Sequence, residues 1–179
     1  MTDNDLIRLF LPIINAGLAA DGFTGVVAKQ ANQPTQQGIN TGPTVYFYKL
    51  GDHRYGFLGR FDEWDTLNSI MVHTETQYYE STFQVSALAL QNVHNPNGYT
   101  ASDLVNEVAS ILQSDYARDR LMLSNVGILR VQDIVNPYFL DDRDQFEASP
   151  SFDFVLTYKQ TRVSTDPVLE SVELNINRI

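Results

Sequence analysis

The three histidines are the residues with the widest chemical range, because an imidazole can bind a metal or transfer a proton near neutral pH. They are His53, His73 and His94, and their separations are not those of a metal site. No H-E-x-x-H motif occurs, and each histidine falls in a predicted turn or at a predicted strand end. The pattern therefore predicts three unrelated surface histidines.

The most acidic stretch is DDRDQFE, residues 141–147, with four acids around one arginine. Carboxylates so close together could bind Ca²⁺ or Mg²⁺, since these cations prefer oxygen ligands. The EF-hand pattern, with its central glycine, is absent, which favours a solvated loop or a salt-bridging rim. A pair of carboxylates for glycoside hydrolysis stays open, because their separation in space is not a property of the sequence.

Other catalytic signatures are missing from the sequence. There is no cysteine, which excludes disulfides, thiolate metal sites and a cysteine nucleophile. Neither G-x-S-x-G nor G-x-x-x-x-G-K-[ST] occurs, and Gly51, Gly56 and Gly59 lie in a predicted hairpin and not between a strand and a helix. We predict no catalytic residue, no metal and no cofactor, and expect a protein that is not an enzyme.

The charge balance argues against direct binding to nucleic acid. Twelve Lys and Arg stand against 22 Asp and Glu, so the formal net charge is −10, which repels a phosphate backbone. Such a charge suits a surface past which DNA slides, and equally suits ordinary solubility. No apolar run reaches membrane-spanning length, and the N-terminus lacks the basic region of a signal peptide. We therefore expect an intracellular, unprocessed protein.

Two helices are predicted from capping boxes followed by apolar residues at helical spacing. The first begins near Thr2 with Asp5, and the second near Thr100 with Asp103 and could continue to residue 122.

The remaining elements are strands. Two of them, TVYFYKL and YGFLGRF, flank GDHR and predict a hairpin with a tight turn, whereas residues 61–73 are ambiguous between helix and loop. Residues 76–91 are predicted to form one long strand, and two predicted C-terminal strands would be joined at STDP. The order favours an α+β fold, with a mostly antiparallel sheet flanked by two main helices. Residues 1–179 would form a single domain with long loops at about 30–43 and 136–150.

Four segments together carry a resemblance to a known family: PTVYFYKL, QYYESTFQVSALALQ, YTASDLVNEVASILQS and SFDFVLTYKQTRVSTDPVLESVELNI. This ordered set resembles the neck or tail terminator proteins of contractile-tailed bacteriophages. The resemblance implies a virion protein, assembled in the host cytoplasm, that forms a homo-hexameric ring. The ring would cap the tail tube, stop its polymerisation and join it to the head connector or adaptor. Tube and sheath proteins would be its partners, and DNA would pass through the lumen without specific binding; no membrane is involved.

The interface residues expected of such a ring lie in the long strand and the two loops. Residues 83–90 would anchor the strand in the core, and residues 76–82 would project towards a neighbour. The candidates are Tyr78, Tyr79, Glu80, Gln33, Gln36, Gln37, Asp141, Asp142, Arg143 and Asp144. Two alternatives remain: another tail structural protein, from the baseplate or a tube junction, and a small metal-dependent hydrolase.

Overall fold

The chain folds into a mostly antiparallel sheet with helices on one face. The computed structural model describes residues 1–31, 42–89, 98–140 and 146–167. Its elements are α1 (Asp3–Ala20), β1 (Val27–Gln30), β2 (Thr44–Asp65), β3 (Ile70–Leu88), α2 (Ala101–Gln113), α3 (Asp115–Met122), β4 (Val126–Val131), β5 (Tyr138–Leu140), β6 (Phe146–Ala148) and β7 (Ser151–Pro167).

The main sheet has the strand order β1-β2-β3-β7-β4, and β5 and β6 form a separate two-stranded sheet. Among the described strands, only β1 and β2 pair in parallel, and the other pairs are antiparallel. The α+β prediction is confirmed.

Both predicted helix starts are confirmed. Thr2 and Asp5 form a capping box in which Asp5 accepts from the Thr2 backbone N–H at 2.8 Å, and Thr100 and Asp103 form the second at 2.9 Å. The second helix does not run on without a break. Ser114 is extended, and its hydroxyl accepts from the Ala117 N–H at 3.2 Å, so that α2 ends and α3 begins at the same residue.

The core lies between the helices and one half of the sheet. Phe10 of α1 is fully buried and meets three aromatic rings edge-on, with centroid distances of 4.9–5.4 Å, on Phe47, Phe83 and Phe154. Each such buried side chain contributes about 1.5–3 kcal/mol. This cluster therefore holds α1 on three adjacent strands.

The predicted hairpin at GDHR is wrong. Residues 44–65 form one strand that pairs with β3 along its length, and the chain reverses at residues 66–69. Gly51 and Gly59 instead lie at two irregularities in the pairing, between Lys49 and Gly51 and between Tyr55 and Gly59. Gly56 has φ +72°, which only glycine adopts readily.

Four further features differ from the predictions. Residues 61–73 contain strand and turn, with no helix. The segment STDP does not connect two strands but forms the end of β7, where it pairs with Ile70–His73 of β3. The strand predicted for residues 76–91 begins earlier, at Ile70, and ends at Leu88. The predicted loop 136–150 contains β5 and β6.

Candidate functional site

The most unusual feature is a three-stranded ribbon that extends beyond the helices, which we call the arm. It consists of residues 53–65 of β2, 70–80 of β3 and 157–167 of β7. At about 3.3 Å per residue its central strand is roughly 35 Å long. Phe57 in the arm is 99% exposed, and Leu67 in the turn between β2 and β3, at the tip of the arm, is 93% exposed.

One face of the arm carries apolar and threonine side chains. Opposed residues of an antiparallel sheet share a face, so the pairing places Phe61, Thr74 and Val163 in one cross-strand row. Phe61 is 62% and Val163 59% exposed. The neighbouring rows contain mostly uncharged side chains: Gly59, Thr76 and Thr161 on one side, and Glu63, Val72 and Thr165 on the other.

The opposite face of the arm is ionic. Arg60 forms an ion pair with Glu75 at 3.3 Å, and Arg162 stands opposite Glu75 on the third strand. In the next row the His73 imidazole lies between two carboxylates, with Nδ1 2.7 Å from Asp62 and Nε2 3.3 Å from Asp166. Because these pairs are exposed, solvent screens them and they add little to stability. Their clearer consequence is that this face is suited to water, whereas the Phe61 face is suited to a protein partner.

The histidine at the centre of the ionic face is perturbed. The hydrogen bond to Asp62 raises the pKa of His73, and the nearby Asp166 carboxylate adds to the effect, while desolvation opposes it. His73 thus links all three strands most strongly when protonated.

Beyond its base at Tyr158, the arm has two edges that are unpaired within the described residues. β1 pairs with β2 only at Thr44–Phe47, and β4 pairs with β7 only up to Tyr158. The arm is therefore amphipathic in its faces and open along two strands, a combination that favours association with other sheets.

Three predicted interface residues lie at the base of the arm. Tyr78 is on the apolar face beside Tyr55, at 5.6 Å between ring centroids. Tyr79 is on the opposite face, half-buried and stacked on Tyr158 at 5.5 Å. Glu80 lies 3.6 Å from the His53 imidazole. The two tyrosines are not both buried in the core, and their role in an interface stays a prediction.

The other candidates fall outside the described residues. These are Gln33, Gln36, Gln37, Asp141, Asp142, Arg143 and Asp144, as well as His94. In the described part of the chain, no three His, Asp or Glu side chains come together as a metal would require.

The described part of the chain has surface cavities at the base of the arm and beside α2. One, of about 600 Å³, lies beside the base of the arm, between the open edge of β7 and the α3–β4 turn, and is lined by Tyr55, Tyr78, Met122 and Lys159 among others. The other, of about 400 Å³, is lined by Phe23, Tyr99 and Glu107 among others. Burial raises the pKa of Glu107, and its hydrogen bond to Asp21 adds to the effect. Among the described residues, every helix is too short or too polar to cross a membrane.

Sequence reasoning missed the arm as a unit. The signal was present in KQTRVSTD of β7, where threonine or valine alternates with polar or charged side chains, but it does not show how far β2 and β3 extend alongside.

Comparison with known proteins links this architecture to bacteriophages. The family described as the E217 gateway protein gp29 matches residues 5–168, which is most of the chain. No curated protein matches the sequence. The family match confirms the coarser part of the resemblance: a structural, virion-located protein of the phage head–tail junction, which points to a non-enzymatic role. It does not single out a tail terminator.

Proposed function

The chain belongs to the E217 gateway protein gp29 family, and from this premise we propose that it is one subunit of a homo-hexameric ring in the phage neck. The ring caps the tail tube, stops its polymerisation and joins it to the connector or adaptor of the head. DNA passes through the lumen without specific binding.

The observation that carries this proposal is the arm. A cyclic ring needs two different surfaces on each subunit, because every contact joins one surface to the other on the next copy. The arm offers two such surfaces, since its β2 edge and its β7 edge are both open within the described residues and differ in sequence. Its exposed apolar residues add area that a monomer would leave in water.

The charge of the chain agrees with a lumen that lets DNA pass. The formal net charge is −10, and strong DNA retention requires Lys and Arg to neutralise phosphates. A lumen lined by acidic or neutral side chains would not hold the duplex in place.

Native mass spectrometry of the purified full chain tests the ring. We expect a dominant species of six times the 20.2 kDa subunit mass, and a closed ring in electron micrographs. A protein that stays monomeric at every concentration, alone or mixed with tail tubes, would overturn the ring.

The position of the ring is tested in the virion. A cryo-electron microscopy map of the particle should show the ring at the head-proximal end of the tube, in contact with tube and connector. Density at the baseplate would instead identify another tail structural protein, and a strongly basic lumen would contradict unhindered passage of DNA.

A further inference from the structure

We propose that adjacent subunits join edge to edge through their arms, with β7 of one copy pairing in parallel with β2 of the next. The paired segments are residues 159–165 of β7 and 59–65 of β2. This inference rests on the proposed ring and specifies which surfaces of the subunit form it.

The open edge of β7 carries a regular row of backbone groups that have no partner among the described strands. Ser151 exchanges two backbone hydrogen bonds with Val135, and Asp153 accepts one from Gln132 at 2.8 Å. Backbone groups alternate in direction along a regular strand, and the pairing of β7 with β3 is unbroken from residue 151 to 167. The backbone N–H and C=O groups of the odd residues of β7 therefore point away from β3. Past Tyr158 these groups meet no described strand, and the residues that carry them are Lys159, Thr161, Val163 and Thr165.

The open edge of β2 is complementary to this row. The backbone groups of even residues of β7 bond to β3, and their partners on β3 are odd residues. The backbone groups of the even residues of β3 therefore point to β2. Their partners in the last regular segment of β2 are odd residues, from Gly59 to Asp65. The backbone groups of Arg60, Asp62 and Trp64 are consequently directed to the open edge.

The direction of pairing follows from the faces. On β7, the residues whose backbone groups point to the open edge carry their side chains on the apolar face, as Val163 does. On β2, the residues whose backbone groups point to the open edge carry their side chains on the ionic face, as Asp62 does. In a parallel pair, a residue whose N–H and C=O both point to the partner strand bonds to the two residues that flank the residue opposite it. The two opposite residues then carry their side chains on the same face, so the apolar faces of the two arms are continuous. Antiparallel pairing of the same edges would place Val163 and Asp62 on one face.

Parallel pairing also agrees with the symmetry and with the charges. β2 and β7 of one arm run in the same direction, because both are antiparallel to β3. Rotation about a ring axis preserves the direction of strands that run along that axis, so with the arms in that orientation β7 of one copy is parallel to β2 of the next. Among the registers that keep the faces aligned, one sets Arg162 beside Asp62 of the next copy. A shift by two residues towards the start of β2 would set Arg162 beside Arg60, which is unfavourable.

The absence of cysteine permits a direct test by disulfide cross-linking. Within one subunit, residues 62 and 162 are two strands apart and offset by two residues, about 12 Å, which is too far for a disulfide. Between paired copies they are neighbours at about 5 Å. The double variant Asp62→Cys/Arg162→Cys should give, under mild oxidation, a ladder of covalent oligomers that ends at the ring size on a non-reducing gel.

Matched variants test the register and the direction. Arg60→Cys/Arg162→Cys moves one thiol by two residues, to about 8 Å, and should cross-link poorly. A mixture of the single variants Asp62→Cys and Arg162→Cys should stop at dimers, and neither should cross-link alone. Dimers of Arg162→Cys alone would show β7 paired with β7 and overturn the inference.

A backbone variant gives a second, independent measurement. Thr161→Pro removes an N–H that points to the open edge and leaves the β3–β7 ladder intact, so it should weaken ring assembly at least about tenfold in native mass spectra. If the unmodified chain forms rings but neither the cross-links nor this weakening appear, the edge pairing is wrong and the ring stands. If the unmodified chain forms no ring, both fail.

Discussion

The two halves of the sheet are built from the same three strands but have different surroundings. In the half under the helices, β3 places Phe83, Val85 and Ala87 on the inner face, all buried. In the arm, the same face of β3 carries Gln77, Glu75 and His73, and no described helix covers it. One strand therefore changes from a core pattern to an ionic pattern without a break in its pairing.

This difference teaches that the pairing of the strands and the burial of their side chains are set separately. Strand pairing continues from the core to residue 70 on β3 and to residue 167 on β7. The core half is stabilised by packing on α1 and α2, whereas the arm depends on its ladder and its cross-strand pairs. The arm is therefore the half that can exchange water for a partner without loss of the core.

The largest expected contrast compares one phenylalanine from each half. Phe83→Ala removes a ring that is 0% exposed and packed against Phe10 and Phe154, and should lower the free energy of unfolding by about 3–5 kcal/mol. Phe61→Ala in the arm should change it by less than about 0.5 kcal/mol. Urea denaturation of both variants at equal protein concentration measures the difference. A similar loss for Phe61→Ala would mean that the arm has a core of its own.

A smaller effect is expected where the helices cross. A methyl group at Gly17 would lie 2.7 Å from three side-chain carbons of Ile111. We expect Gly17→Ala to cost about 1–3 kcal/mol through overpacking, partly offset by about 1 kcal/mol from the better helix propensity of alanine.

The control is the same substitution, Gly17→Ala, made in a protein that already carries Ile111→Ala. In Ile111→Ala the clash is relieved, so Gly17→Ala should become neutral or stabilising there. Denaturation of the four proteins gives the coupling energy between the two positions. Equal destabilisation in both backgrounds would show that Gly17 is required for another reason.

The core half was predictable because its signal is local. Alternation of apolar side chains in SFDFVLTY and in FQVSALA indicated buried strand faces, and both capping boxes marked the helix starts. Each pattern depends on residues a few positions apart, which is why it can be recognised without knowledge of the fold.

The arm was not predictable in the same way because its strands depend on distant partners. The stretch GDHR between two strand-like segments indicated a turn, yet β2 continues through it because β3 is long enough to pair with β2 as far as Asp65. The true reversal is stabilised by Asp65, which accepts from the backbone N–H groups of Leu67 at 3.0 Å and Asn68 at 3.3 Å. Such an Asx turn is also common in loops, so the sequence of residues 65–68 alone did not distinguish a strand reversal from an ordinary loop.

The smallest expected effect is confined to the arm and depends on pH. The pKa of His73 is raised in the folded state, chiefly by Asp62, so its contribution is fully present below the unfolded-state pKa of about 6.5 and is lost as pH rises through the folded-state value. Exchange protection of the arm amides, corrected for the intrinsic rate, should therefore be higher at about pH 5.5 than at about pH 8. His73→Gln should abolish that difference, whereas His53→Gln, which replaces an imidazole 3.6 Å from the single carboxylate of Glu80, should retain it. A pH-dependent protection that extends equally into the buried half of β3 would mean that the two halves of the sheet open as one unit, and the distinction between core and arm would no longer hold.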